Sequence, residues 1–418
     1  MEKKNNLVPM LILAALFFIF GFVTWLNATL ITYFKIAFDL NNFQSLLVAW
    51  AFYLSYFVMA LPSSGILKKT GFKNGMMLGL LVMAAGALLF IPAANSQTYG
   101  LFLIALFVIG TGLTVLQTAS NPYITIVGPI ESAASRISMM GICNKLAGVI
   151  APTMLSAVIL SDADTLVNEI KLLNEVDRAA RLAELLSRVI TPYTIMAVVL
   201  IALALFVRFS ALPPIEMEEP DETTSALTDR KNIMAYPNLV LGVIALFLYV
   251  GAEVIAADTI GNYGHSQGIP LSESRLFPSF TLAAMVVGYI LGIVAIPKFI
   301  SQSKALAVSA VTGILFSLIA INTTGYTSVL FIALMGLANA LMWPAIWPLA
   351  IHGLGRFTKT GSALLIMAII GGGIMSVSYG ALADIPSIGY RSAYWIMIPC
   401  YLFILFYSIK GHRIKSWS

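Results

Sequence analysis

Long apolar runs dominate the chain, and each is long enough to cross a bilayer. A helical crossing needs about 20 mostly apolar residues, and twelve runs reach that length. The pattern therefore predicts an all-α integral membrane protein with twelve transmembrane helices in two six-helix halves. The predicted spans are residues 8–34, 43–66, 75–94, 99–123, 137–160, 189–211, 237–263, 276–297, 304–322, 327–350, 360–381 and 391–409.

Two polar segments interrupt this pattern. In residues 161–188, leucines, isoleucine and valine recur at helical spacing among charges, which predicts an amphipathic helix on the membrane surface. Residues 212–236 begin LPPIEMEEPDE, a proline-rich acidic stretch typical of a linker. The sequence thus predicts an N-terminal half (1–211) with an extracytoplasmic insert, a cytoplasmic linker and a C-terminal half (237–418).

Composition and charge agree with this reading. A soluble domain has about 25% charged residues, whereas this chain of 418 residues has 10% charged and 59% hydrophobic residues. The net charge of +5 is scattered through short loops, so it does not indicate nucleic-acid binding. With the N-terminus inside, sixteen Lys and Arg residues fall on the cytoplasmic side and seven on the outer side. Both termini are therefore predicted to be cytoplasmic.

A weak internal echo supports two related halves. GLTVLQTASNP in the fourth span resembles GLANALMWPAIWP in the tenth, and the next span of each half is rich in small residues. Transporters built from such repeats hold their substrate near the bilayer midplane, at the interface between the repeats.

Two carboxylates, Glu253 and Asp258, fall well inside the seventh span, LFLYVGAEVIAADTIGNYG. Acids at membrane depth are costly and usually face a cavity, a partner charge or an ion path. An interhelix salt bridge or a buried protonated acid is the structural alternative. The functional interpretation is that they bind substrate or couple a cation.

Lys145 lies in GICNKLAGVIAP of the fifth span, where an ammonium needs a partner or a water-filled cavity. Glu253 is the acid at the matching depth, so a Lys145–Glu253 contact across the halves is predicted as a gate. The alternative is that Lys145 extends to the cytoplasmic interface.

Neutral polar side chains in the spans indicate the kind of substrate. Amides bind sugar hydroxyls, aromatic faces pack on sugar C–H groups, and no cluster of positive charge is present to bind an anion. Helix–helix hydrogen bonds are the alternative role for the amides, and interface anchoring or packing for the tryptophans, Trp25 included. The candidate substrate-binding residues are Asn27, Gln117, Asn121, Asn144, Glu253, Asn339, Trp343 and Trp347.

Signatures of catalysis are absent. The three histidines are far apart, and no metal-ligand spacing, phosphate-binding loop or nucleophile motif rises above chance. The sequence therefore predicts a protein that is not an enzyme, without a cofactor or a metal site.

Several motifs resemble the major facilitator superfamily and, within it, the fucose–glucose/galactose permease family. The glucose/galactose and N-acetylglucosamine branches are the more similar ones. The resemblance covers nearly the whole chain except the insert and the linker. The motifs are FGFVTWLNATLITYFK, QTASNPYITIVGP, RISMMGICNKLAGVIAP, YVGAEV and WPAIWPLAIHGLGRFTKTGSALLIMAIIGGG.

This resemblance implies sugar–cation symport by alternating access, and we expect the protein to work as a monomer in a bacterial-type inner membrane. Fucose-type members carry acids in the first and fourth spans, and the matching positions here are Ala28 and Gln117, which do not titrate. Either protons use Glu253 or Asp258, or Na⁺ is held by oxygen ligands. The substrate is expected to be a neutral hexose or N-acetylglucosamine. An exporter of drugs or metabolites and a non-transporting sugar sensor are the alternative functions.

Overall fold

The computed structural model describes residues 7–126, 133–210, 212, 232–296, 299–414, 416 and 417, and in these residues all regular structure is helical. Most of the predicted linker lies outside the described residues. The helices are α1 Leu7–Ala37, α2 Asn42–Leu88, α3 Phe90–Asn95, α4 Tyr99–Ile126, α5 Ala133–Ile159, α6 Ala163–Leu172, α7 Glu175–Ser187, α8 Ile190–Phe209, α9 Pro237–Asp258, α10 Ile260–Ser266, α11 Leu271–Ser274, α12 Phe277–Ala295, α13 Gln302–Asn322, α14 Gly325–Asn339, α15 Met342–Ile351, α16 Thr358–Met367, α17 Gly371–Ala383, α18 Gly389–Ala393 and α19 Met397–Ile409.

Eleven helical stretches of the described chain are long and apolar enough to cross a membrane. The second stretch, Asn42–Asn95, contains 54 residues and covers the second and third predicted spans together. Its helix is interrupted at Gly71, whose φ of 71° is a left-handed value that favours glycine.

The chain doubles back at this interruption. Ser55 lies against Gly110 of α4, and Gly79 lies against Gly112, two residues further along α4. In a straight helix Ser55 and Gly79 would be about 36 Å apart. Two arms of α2 therefore pack side by side on α4.

Contacts between helices fall into two groups joined by a few pairs. In the first group α1 packs on α5, and α2 on α4 and α8. In the second, α13 packs on α14 and α19, and α9 on α15 and α17. The main pairs that join the groups are α2 with α17 and α5 with α12, while α1 also touches α9 and α10.

Two predicted spans are broken. The seventh is interrupted at Thr259, so Asp258 is the last residue of α9. The Thr259 hydroxyl donates to the Ile255 carbonyl at 2.7 Å, a contact that often bends helices. The tenth is interrupted after Asn339, where the Pro344 ring disfavours a helical carbonyl four residues earlier. The expected regular stripe of Asn339, Trp343 and Trp347 is therefore broken.

The insert is helical, as its periodicity predicts, but it consists of two helices, α6 and α7, rather than one, and its apolar face packs on the protein. Leu166 and Leu185 are fully buried, and the Tyr33 hydroxyl of α1 donates to the Leu185 carbonyl at 2.5 Å. Leu172 and Val176 remain 88% and 79% exposed. The end of α1 offers an apolar surface that the sequence of the insert alone does not reveal.

Candidate functional site

A buried ion pair joins α5 and α9. Lys145 Nζ lies 2.5 Å from Glu253 Oε1, and the two side chains are only 10% and 8% exposed. The contact expected from the sequence is present. Because α5 precedes the linker and α9 follows it, the pair connects the two predicted halves.

Trp25 of α1 completes the surroundings of the ammonium. Lys145 Nζ lies 4.4 Å from the centroid of the indole ring, within the range of a cation–π interaction. Trp25 is buried, and its indole N–H has no hydrogen-bond partner in the described part of the chain. Of the two roles expected for Trp25, anchor or packing, the structure therefore favours an interior position.

Four buried tyrosines of the described residues lie close enough to Glu253 to interact with its charge: Tyr53 on α2, Tyr249 on α9, Tyr289 on α12 and Tyr401 on α19. Tyr401 also donates its hydroxyl hydrogen to Asn339 Oδ1 at 3.0 Å. Asn339 is thus linked to the surroundings of Glu253, and its Nδ2 has no partner among the described residues.

Other buried polar side chains also lack partners within the described residues, and two of them lie near this site. These two are Asn27 of α1 and Asp258 of α9, each only 1% exposed, and neither side-chain oxygen of Asp258 is hydrogen-bonded. Folded proteins leave few buried polar groups unpaired. A bound polar molecule, water, an ion or a proton would satisfy such groups.

These residues lie at similar depth. Thr32 of α1 lies against Gly261 of α10. Counting back five residues on each helix brings Asn27 level with the turn between Glu253 and Asp258. Asn27, Glu253 and Asp258 therefore occupy one layer of the bundle, about 7.5 Å deep.

The other predicted site residues are less closely associated with this layer. Gln117 of α4 donates to the Tyr56 hydroxyl of α2 at 3.2 Å, and Asn144 Nδ2 makes a long contact of 3.5 Å with the Phe17 carbonyl. Asn121 is partly buried. These contacts of Gln117 and Asn144 are the helix–helix hydrogen bonds named as the alternative role for amides.

The tryptophans of α15 contact each other. The rings of Trp343 and Trp347 are stacked with centroids 5.4 Å apart, and both are partly buried against the apolar core. Gly242 of α9 lies against Ala350, so the end of α15 packs beside the first turns of α9. Trp343 and Trp347 follow Asn339 by four and eight residues, which is about one and two helical turns along the chain.

Residues that sequence reasoning missed are mostly aromatic. Tyr249 stands four residues before Glu253, so its spacing already put both on one helix face. Tyr289 and Tyr401 come from distant helices, and no local pattern distinguishes them from the many other aromatic residues of the spans.

The two helix groups meet at the end of the bundle predicted to face outward. Asp384, which follows α17, accepts hydrogen bonds from the backbone N–H groups of Asn42 and Phe43 at 3.0 and 2.8 Å. Lys35 donates to both Asn42 and Tyr390, and Arg275 donates to the carbonyl of Ser156. The candidate site therefore lies beneath a closed end.

Comparisons with known proteins agree with this architecture. The model of the Major Facilitator Superfamily matches residues 2–152. A glucose/galactose transporter of Brucella abortus (strain 9-941) is 38% identical over 99% of this chain and 96% of that protein. The L-fucose-proton symporter of Escherichia coli (strain K12) is 30% identical over 92% of this chain and 88% of its own length.

A solved structure has the same fold. The crystal structure of the major facilitator superfamily transporter FucP in the outward conformation matches with a TM-score of 0.74 and 29% identity. The match covers 97% of this chain and 99% of FucP. The chain therefore belongs to the major facilitator superfamily, in the family of the glucose/galactose transporters and L-fucose–proton symporters.

Proposed function

We propose that this protein is a sugar symporter of the inner membrane, which moves a neutral hexose such as glucose or galactose, or N-acetylglucosamine, together with a cation. The observation that carries the proposal is the full-length similarity to the Brucella abortus glucose/galactose transporter, 38% over 99% of the chain. The polar layer supports it, because its described residues offer amides and carboxylates, and the cation beside them, Lys145, is already paired with Glu253. The relatives give no support to an exporter or a sensor.

The membrane topology of this proposal has twelve crossings, with both termini in the cytoplasm. The two arms of α2 account for two of them, since Asn42–Asn95 has 54 residues and doubles back at Gly71. A straight helix of that length would be about 80 Å long, far more than the roughly 30 Å of a hydrocarbon core. A monomer is sufficient, because the polar layer is built within one chain.

Sugar binding is assigned to the amides and the carboxylate that face the interior. Asn27, Asn339 and Glu253 are the first candidates, because Asn27 and the Nδ2 of Asn339 lack partners among the described residues and Glu253 lies in the same layer as Asn27. Gln117, Asn121 and Asn144 stand on the N-terminal half. Binding of sugar hydroxyls to Gln117 or Asn144 would replace the helix–helix hydrogen bonds that these two side chains make. Trp343 and Trp347 offer aromatic faces about one and two turns along the chain from Asn339.

The Lys145–Glu253 pair is assigned the role of a gate. A buried ion pair stabilises a fold poorly, since desolvation offsets most of its attraction. A sugar hydroxyl that bonds to Glu253 would weaken the attraction between the halves and let them separate. The coupling ion is a proton or Na⁺, taken up at Glu253 or Asp258, and the E. coli relative, named a proton symporter, supports the proton.

The test is uptake of a labelled sugar panel into proteoliposomes, with proton and sodium gradients imposed separately. We expect that one of the two gradients drives accumulation of a neutral hexose or N-acetylglucosamine. Counterflow of the same sugar should occur even when no ion gradient is imposed. Absence of both uptake and counterflow for every sugar would contradict the proposal.

A further inference from the structure

Asp258 is the buried acid of the polar layer for which the described structure supplies no compensating group. It ends α9, is 1% exposed, and neither oxygen accepts a hydrogen bond from any described residue. The neighbouring Thr259 hydroxyl donates to the Ile255 carbonyl and pairs with the Tyr394 hydroxyl, so it is already used.

The contrast with Glu253 on the same helix is sharp. Glu253 has Lys145 at 2.5 Å, which balances its charge. Asp258 stands five residues further along, about 7.5 Å along the helix axis. Among the described residues, the titratable groups close enough to interact with it are Glu253 on its own helix and Tyr53 on α2, and neither is a cation. A carboxylate without a partner is very costly to bury, so a protonated carboxyl is the form that this environment tolerates.

The position of Asp258 also couples it to movement of the halves. Tyr53 belongs to α2, and it packs beside Val254 of α9 where both meet Gly372 of α17. Separation of α2 from α9 and α17 would replace this dry contact with water. The same acid is therefore dry when the halves are closed over it and hydrated when they part.

We propose that Asp258 carries the coupled proton, while the Lys145–Glu253 pair remains charged and responds to the sugar. This inference rests on the proposed function and assigns its ion and its ion-binding residue. Asp258 takes a proton from water on one side when the site opens there, holds it as a neutral carboxyl while the halves are closed, and releases it to water on the other side.

The first experiment compares wild type with Asp258→Asn, Asp258→Glu and the control Asp39→Asn in proteoliposomes. Asp39 is an exposed acid outside the proposed site, with its side chain 83% exposed. With a pH difference of one unit, a one-proton symporter can concentrate sugar about tenfold. We expect this tenfold accumulation of sugar from wild type, Asp258→Glu and Asp39→Asn. Asp258→Asn should give equal sugar inside and outside, with its counterflow preserved.

Proton movement is measured in the same vesicles without an imposed gradient. Addition of sugar should make the outer medium alkaline for wild type and leave it unchanged for Asp258→Asn. The inference is overturned if Asp258→Asn still accumulates sugar with a pH gradient, or if wild type accumulates sugar with Na⁺ alone and moves no protons. Loss of wild-type counterflow would instead overturn the proposed function itself.

A second measurement uses the unmutated protein, so it does not depend on the folding of a variant. Dicyclohexylcarbodiimide adds to protonated carboxyl groups in apolar surroundings. After treatment, peptide mass spectrometry should find the adduct on Asp258. An adduct on Glu253 with Asp258 unmodified would contradict the assignment.

Discussion

Two ionic regions of the molecule are built in opposite ways. In the insert, Asp162 is bound by two arginines, with Nη2 of Arg181 and of Arg188 each 2.9 Å from its Oδ2, and Glu184 pairs with both arginines. In the interior, Lys145 and Glu253 have each other as their single ionic partner among the described residues. Removing one member of the outer network leaves its partners other ionic contacts. Removing one member of the inner pair leaves the other charge without an ionic partner.

This difference indicates what each region does. The outer side chains are 18 to 54% exposed, so water replaces any lost contact. The inner side chains are about one-tenth exposed, so a broken pair leaves a charge without solvent. A redundant network holds the two helices of the insert together, while a single dry pair can act as a switch.

The largest effect is expected from Glu253→Gln. It leaves the Lys145 ammonium buried without its counter-charge, which should cost about 3–5 kcal/mol of unfolding free energy. Sugar counterflow should fall together with accumulation, because Glu253 is assigned to both the sugar and the gate. Thermal unfolding in detergent and counterflow in proteoliposomes measure the two effects.

Removing both charges separates stability from function. In Lys145→Met with Glu253→Leu no charge is left unpaired, so stability should return to the wild-type level or above it. Counterflow should stay absent. If the double variant transports sugar, the pair is a structural contact and the gate assignment is wrong.

A smaller effect is expected from Arg188→Gln in the insert. Arg181 still neutralises Asp162, so the loss should be about 1 kcal/mol, and accumulation of sugar should remain near the wild-type level. Thermal unfolding and sugar uptake of this variant are compared with those of Glu253→Gln, so that an exposed ion pair is tested beside a buried one. A collapse of transport would show that the insert does more than pack on α1.

The smallest expected effect is a change in the stability of the fold at acidic pH. The hydrogen bond from Arg188, helped by Arg181, lowers the pKa of Asp162 from 3.8 to about 2. Because the folded pKa is depressed, the stabilisation is complete above pH 3.8 and is lost as the pH falls to about 2. Asp162→Asn should therefore unfold more easily than wild type at pH 5, and the difference should shrink toward pH 2. A constant difference across this range would contradict the assignment.

The sequence predicted the parts of this protein that depend on hydropathy and on rare charges. Apolar runs located the spans, and Lys145, Glu253 and Asp258 stood out because charges are costly at that depth. Hydropathy does not report rotation about a helix axis. It therefore could not reveal that Tyr401 meets Asn339, or that Trp25 covers Lys145.

The sequence also did not reveal where helices are interrupted or which surface the insert packs on. Thr259 and Gly261 permit a continuous apolar run, although the helix ends at Asp258. The leucines of the insert suit a lipid surface as well as the end of α1, and packing decides between them. Tertiary contacts, which a single sequence does not encode locally, account for these differences.

The most direct test of the central claim is accumulation of labelled glucose or galactose by wild-type protein in proteoliposomes under an imposed inward proton gradient. The account predicts that sugar concentrates inside, that collapsing the gradient releases it, and that unlabelled hexose competes. Sugar that merely equilibrates whatever gradient is imposed, or uptake that hydrophobic cations inhibit and sugars do not, would contradict it.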